Sequence, residues 1–322
     1  MFWIKKILRF IIRIIFKSQY KNIEKVPLIK VKNGISFHET NDKIKQLIES
    51  DFPCMVTRFG SVELDIVIKY KNIITKSIIE KIINFGYTGE CDWWTKKNTF
   101  QFGINAGFFP TNSKNINQFA LLMIECMYHI NLLASWVNGE NIFDNELKKA
   151  SICHLQDIEP YFHEQPWTKS LENKKVLVIH PFTESISRQY NSNRGKIFSN
   201  PNVLPKFELF TVKAVQSIAG NKTAFNNWFE ALDYMFIEAI KIDFDVAIIG
   251  CGAYGLPLAA KIKQYGKKAI HLGGATQILF GIKGNRWDKI PEISQLYNDY
   301  WIRPLNSEKP QYVDKVEGAC YW

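Results

Sequence analysis

The sequence predicts an α/β protein built on a Rossmann-like, mostly parallel sheet with helices on both faces, plus an N-terminal amphipathic helix. Three short apolar runs, "KVLVIHPF" (175–182), "DVAIIGCG" (245–252) and "KAIHLGG" (268–274), read as core strands. Around them, segments of ten or more residues with helical periodicity alternate with the strands, as in sheets whose parallel strands are joined by crossover helices. The second run continues into a GxGxxG turn and a helix, "DVAIIGCGAYGLPLAAKIK" (245–263). Ligands of such sheets bind beyond the carboxyl ends of the strands, so the polar residues that follow each strand are the candidates for chemistry.

Taken in order, the first element is "MFWIKKILRFIIRIIFKSQYK". At about 100° per residue, Lys5, Lys6, Arg9, Arg13 and Lys17 share one arc of a helix, and Trp3, Ile4, Ile7, Leu8, Phe10, Ile11, Ile14 and Ile15 cover the other. Its uncharged runs fall far short of the roughly 20 residues a span needs. Arginines interrupt the apolar run and no small-residue cleavage site follows, which argues against a signal peptide. The expectation is a helix lying in the membrane interface through residues 2–17. Its cations would face anionic headgroups on the cytoplasmic side, which makes the protein peripheral on the inner face of the cytoplasmic membrane. The alternative is a helix docked on the protein's own body. Residues 1–33, ending in the connector "VPLIKVKNG", form this segment, and 34–322 form a single α/β domain.

Next come a short helix at 41–50 and a strand in "CMVTRFG" (54–60) that feeds a tight turn. "SVELDIVIKY" then begins a helix with Ser61 as its N-cap. Residues 85–113, rich in aromatics and glycine, read as a long irregular binding loop. Helical periodicity returns at 116–136 and 222–241.

The 322 residues are 46% apolar, enough to fill a core, and the formal charge is +10. Nine basic residues against one acid lie before residue 33, so the rest of the chain is close to neutral. A near-neutral body argues against nucleic-acid binding, which needs a basic stripe on the folded surface. The cysteines Cys54, Cys91, Cys126, Cys153, Cys251 and Cys320 show no metal-ligand spacing, and most of them read as small buried hydrophobes of a reducing compartment.

The strand ends carry the chemistry. Gly250, Gly252 and Gly255, with Tyr254 between them, have the spacing that allows a tight turn, a close approach to phosphate and close helix packing. The following helix offers free N–H groups and the positive end of its dipole. A dinucleotide site would place an acid about 20 residues on, at the ribose, whereas the next strand supplies His271 followed by Gly273 and Gly274. No NAD is therefore expected; a nucleotide diphosphate fits better, and a purely structural turn is the plain alternative. "HPFTES" offers His180 and Glu184, the latter as general base or as a first-turn charge. "TRFGSVELD" offers Arg58, a fork suited to a diphosphate, with Gly60, Ser61, Glu63 and Asp65 around the turn.

Together, "TRFGSVE", "NAGFFP", "VLVIHPFTESI" and "DVAIIGCGAYGLPLAAKIKQYGKKAIHLGGATQILFGIKGNRW" resemble a family of bacterial polysaccharide-biosynthesis proteins related to the GT-D type glycosyltransferases. The resemblance covers roughly residues 50–290. It implies transfer of a sugar from a nucleotide-diphosphate donor to a lipid-linked or growing surface-glycan acceptor. It also implies a metal, Mn or Mg, on an Asp-X-Glu signature after the Arg-aromatic-Gly turn. Here that stretch is Ser61-Val62-Glu63, so Glu63 carries over and the aspartate does not, which leaves Glu63 a doubtful metal ligand. Arg58, His271 and helix N-termini are the other means of neutralising a diphosphate. Glu63 or Glu184 would deprotonate the acceptor if the reaction inverts. The aromatics Trp93, Trp94, Phe100, Phe102, Phe108 and Phe109 would stack on sugar rings. An NAD(P)-dependent oxidoreductase and a non-catalytic glycan-binding protein are the competing readings.

Overall fold

A computed structural model describes residues 2–17, 34–312 and 321–322, so the connector, except Gly34, and Cys320 lie outside the described residues. Seven strands, β1 (Met55–Thr57), β2 (Leu132–Ser135), β3 (Ser151–His154), β4 (Lys175–His180), β5 (Glu208–Lys213), β6 (Val246–Ile249) and β7 (Lys268–His271), form one sheet in the order β3-β2-β1-β7-β6-β4-β5. Every pairing is parallel. The helices that serve it are α1 (Phe2–Ile15), α2 (Phe37–Glu49), α3 (Ser61–Thr75), α4 (Ile78–Thr88), α5 (Lys96–Ala106), α6 (Ser113–Met127), α7 (Asp144–Leu147), α8 (Thr183–Ile197), α9 (Trp228–Ile240), α10 (Gly255–Gln264), α11 (Ala275–Leu279) and α12 (Pro291–Ser294).

The sheet separates two apolar cores. Along β4, Leu177 and Ile179 enter the core shared with α3, α6, α9 and α10, while Val176 and Val178 enter the one shared with α2, α8 and α11. This is the two-residue alternation of a strand buried on both faces, and it explains why β4, β6 and β7 read as unbroken apolar runs.

Several boundaries differ from the sequence reading. Ser61 is the first helical residue of α3 rather than its cap; Gly60 is the N-cap and supplies no side-chain bond. The run 85–113 is mostly helical: α4 continues to Thr88 and stops at Gly89 (φ 81°), and α5 follows, capped by Thr95, whose hydroxyl accepts from Asn98 N. Phe102 and Phe108 stack at 4.7 Å and are buried with Phe119 and Trp228, so these aromatics are core residues. The helix expected over 116–136 ends at Met127, and "LLAS" becomes β2 because Leu132 pairs with both Val56 and Ser151. α9 begins only at Trp228, where the Asn227 side chain accepts from Glu230 N. α2 starts earlier than expected, at a reciprocal cap between Ser36 and Glu39.

Helix α1 docks on α4, and it does so through its basic arc. Arg9 and Arg13 both donate to the carbonyls of Gly86 and Tyr87 at distances of 2.9–3.2 Å, near the negative end of the α4 dipole. Between them Ile12 is buried against Gly86, where a Cβ would collide with it. Ile4, Ile7, Ile11 and Ile14, on the opposite arc, are exposed. Docking on the body is thus observed, but with the apolar face pointing outward.

Candidate functional site

Strands β4 and β6 are neighbours, yet the helices that follow them leave for opposite faces: α8 packs in one core and α10 in the other. Such a divergence opens a crevice at the carboxyl ends of the strands. A cleft of about 590 Å³ lies there, over the ends of β1, β4, β6 and β7. Arg58, Gly60, Ser61, Glu63, His180, Gly252, Tyr254, His271, Gly273 and Gly274, all singled out from sequence, line it.

Three long helices point N-termini toward this region, and two already hold a carboxylate of this chain. At α8, Glu308 is buried and accepts from the backbone N–H of Glu184 (2.8 Å) and Ser185, and from the Ser185 hydroxyl. At α3, the Glu63 carboxylate folds back over the N-cap Gly60, into the space a Cβ there would take. At α10, the preceding turn begins at Gly252, which is exposed, has φ 58° and has no atom of the described residues within 4 Å of where a Cβ would stand. Among the described residues no side chain stands between a polar ligand and the backbone N–H groups there.

The flanking glycines serve other ends. A Cβ on Gly250 would lie 2.6 Å from the His180 ring, 2.7 Å from Thr276 Oγ1 and 2.8 Å from the Gly273 carbonyl; one on Gly255 would fall on the His271 ring. Both glycines sit behind the cleft wall and let strands and helix close up. Tyr254 lines the cleft with its ring stacked on Trp228 at 4.7 Å. Its hydroxyl is 2.9 Å from Ser217 Oγ, which itself donates to the Gly107 carbonyl. Tyr254 is therefore a packed wall whose hydroxyl is already engaged.

Burial holds both cleft histidines neutral, each pushed down to about 3, with Arg58 adding to the effect at His271. His180 Nδ1 accepts from Phe182 N at 3.0 Å, so its proton resides on Nε2, an uncharged donor. His271 is clamped between Thr57 Oγ1 (3.0 Å from Nδ1) and Gly255, and acts as packing more than as a ligand hand.

Arg58 is oriented by two contacts. Its Nε donates to the Phe59 carbonyl at 3.0 Å, and its guanidinium lies over the Trp136 ring at 4.7 Å. Trp136 is fixed in turn by its own N–H on the same carbonyl, 2.8 Å away. A second arginine, Arg286, stacks on Tyr321 at 5.1 Å and also lines the cleft. Glu159 completes the charged set: it is 7% exposed, and Tyr161 donates to its Oε2 at 2.6 Å. Burial lifts its carboxyl to about 7, although Tyr161 and Arg58 both oppose the rise. Sequence reading missed Arg286, Glu159, Trp136 and Tyr321. Arg286 belongs to the "GNRW" stretch that carries the family resemblance, but Glu159 lies in a stretch without motif, between two single turns after β3.

Two expectations fail here. Glu184 is exposed and turned to the Ser307 hydroxyl, 3.2 Å away, and does not line the cleft, because the first turn of α8 points it outward while Glu308 takes the helix end. None of the six loop aromatics lines the cleft either; Trp136, Trp287, Tyr321 and Trp322 do. A metal finds a poor donor set: among the described residues Glu63 and Glu159 are the carboxylates that line the cleft, and Ser61 stands where the expected aspartate would be. Among the described residues no group of three or more His, Cys, Asp or Glu could hold an ion. Asp65, on α3, is exposed and does not line the cleft. Neither a protein-family model nor a curated protein nor a solved structure matches this chain.

Proposed function

We propose that this chain is a glycosyltransferase that moves a sugar from a nucleotide-diphosphate donor to a lipid-linked or growing surface-glycan acceptor. The observation that carries the reading is the open, left-handed Gly252 at the one long helix N-terminus around the cleft not filled by a side-chain carboxylate of the described residues. The diphosphate sits at that turn, between Arg58 and Arg286. Fixed N–H groups and guanidinium charges then meet the negative charge that develops on the leaving diphosphate. The Nε2–H of His180 donates to a donor oxygen without adding charge. Trp136, Trp287 and Tyr321 offer aromatic surface for a base or sugar ring. A cleft carboxylate, Glu63 or Glu159, takes the acceptor proton. No step is drawn through Mn or Mg, since the donor set fits it poorly.

The acceptor reading rests on α1, whose apolar arc faces away from the body and whose described residues contain no acid. No helix among the described residues is long and apolar enough to cross a membrane. A peripheral position on an anionic inner-membrane face follows as part of the proposal.

A thermal-shift screen against nucleoside diphosphates, nucleotide sugars and NAD(P)H, with and without Mn²⁺, tests the reading, because a bound ligand raises the melting temperature by mass action. Stabilisation by a nucleoside diphosphate is expected, and Gly252→Val should abolish it. A shift with NAD(P)H and none with any nucleotide sugar would favour the oxidoreductase; silence throughout would favour a non-catalytic protein.

A further inference from the structure

Glu159 is an expensive residue for the fold to hold. Its carboxyl is removed from water, and Tyr161 is its hydrogen-bond partner among the described residues. A buried carboxyl normally gains several hydrogen bonds or a contact ion pair. Here it gains one bond and faces the cleft. The local chain sets it there: Pro160 confines Glu159 to an extended conformation (φ −86°, ψ 109°) between the turns 155–158 and 160–162. Tyr161, buried against Phe162 and Phe198, brings its hydroxyl to Oε2.

Resting on the glycosyltransferase reading, we propose that Glu159 is the general base that accepts the proton of the acceptor hydroxyl. The step is an inverting displacement. The acceptor O–H proton passes to the Glu159 carboxylate while the oxygen's electron pair forms the bond to the anomeric carbon. The bond from that carbon to the diphosphate oxygen breaks, and its electron pair leaves with the nucleotide. Arg58 and Arg286 meet that charge. Glu63 is placed differently: it lies over the N-cap of α3, where the helix dipole favours a standing negative charge over one that gains and loses protons. The groups facing Glu159 are Tyr161 on its own turn and Arg58 from the end of β1, with Glu63, His180, His271 and Arg286 around the same cleft. A base whose proton affinity lies near neutral pH is the efficient one.

The full-length protein is assayed with a panel of UDP-, GDP- and dTDP-hexoses and octyl glucoside as acceptor, reading the nucleoside diphosphate released. Glu159→Gln keeps an oxygen for Tyr161 and should retain the thermal shift given by the nucleoside diphosphate, while release falls on the order of 10²–10⁴-fold. The parent rate should rise with pH through about 7. Tyr161→Phe removes a bond that favours the carboxylate, so it should move that limb to higher pH. A Glu159→Gln rate within threefold of the parent, or a pH limb unmoved in Tyr161→Phe, overturns the assignment. If Glu159→Gln does not fold, Tyr161→Phe decides. A parent that binds and cleaves no nucleotide sugar overturns the transferase reading itself, and this inference with it.

Discussion

Among single residues, Gly250 and Gly252 separate packing from binding. Gly250→Ala pushes a methyl into the His180 ring, Thr276 and the Gly273 carbonyl, so it should cost about 1–3 kcal/mol of stability, read as a lower urea midpoint. Gly252→Ala meets no atom of the described residues, so its cost is that of the left-handed backbone, about 1–2 kcal/mol. Its larger effect should be on nucleotide affinity. The buried titratable groups predict opposite pH trends. His180 and His271 bind protons near 6.5 when unfolded and near 3 when folded, so the unfolded state holds extra protons between those values. Their share of stability is complete above pH 6.5 and is lost as pH falls toward 3, at up to about 1.4 kcal/mol per unit for each ring. Glu159, raised from 4.5 to about 7, does the reverse: the folded state keeps a proton the unfolded state has released, so stability drops as pH rises through that window. Glu159→Gln should therefore gain stability relative to the parent between pH 4.5 and 7, measured by denaturant unfolding. Equal pH profiles would show that the carboxyl is solvated.

Secondary-structure elements were legible where local chemistry and tertiary demand agreed. β4, β6, β7 and α10 stand where apolar runs and the glycine turn put them. β2 does not, since "LLAS" continues a helical pattern and turns into a strand only because β1 and β3 flank it. β3 and β5 are sheet edges, short or half-exposed, and leave no continuous apolar run to read. The cap of α8 is likewise supplied from 124 residues away, by Glu308. Glu308→Ala should cost about 1–2 kcal/mol and loosen the first turn of α8, visible as faster amide exchange at Ser185. For α1, replacing Arg9 and Arg13 together by alanine removes four bonds to the end of α4. The expected outcome is earlier proteolytic cleavage within residues 2–17, with the melting temperature of the body little changed, because these contacts lie at the surface.

At the level of the whole molecule, the sheet order brings the ends of β1, β4, β6 and β7 to one cleft although their sequence positions span more than two hundred residues. The same architecture carries α1 with its apolar arc outward, so membrane attachment has a testable form. Vesicles containing anionic lipid should float the full chain, neutral vesicles less so, and Ile7→Glu with Ile11→Glu should abolish flotation without unfolding the body. Flotation that ignores both substitutions would assign the outward arc to another partner. The sequence alone established the class of fold, the glycine turn and ten of the residues that line the cleft, because apolar runs, glycine spacing and strand ends are local signals. Which histidine donates and which only packs, which helix end is open, and that Glu159 rather than Glu184 faces the cleft were decided by tertiary structure. Each depends on what a distant segment places beside the residue: Phe182 and Gly255 at the rings, Glu308 at α8, Arg58 and Tyr161 at the carboxyl.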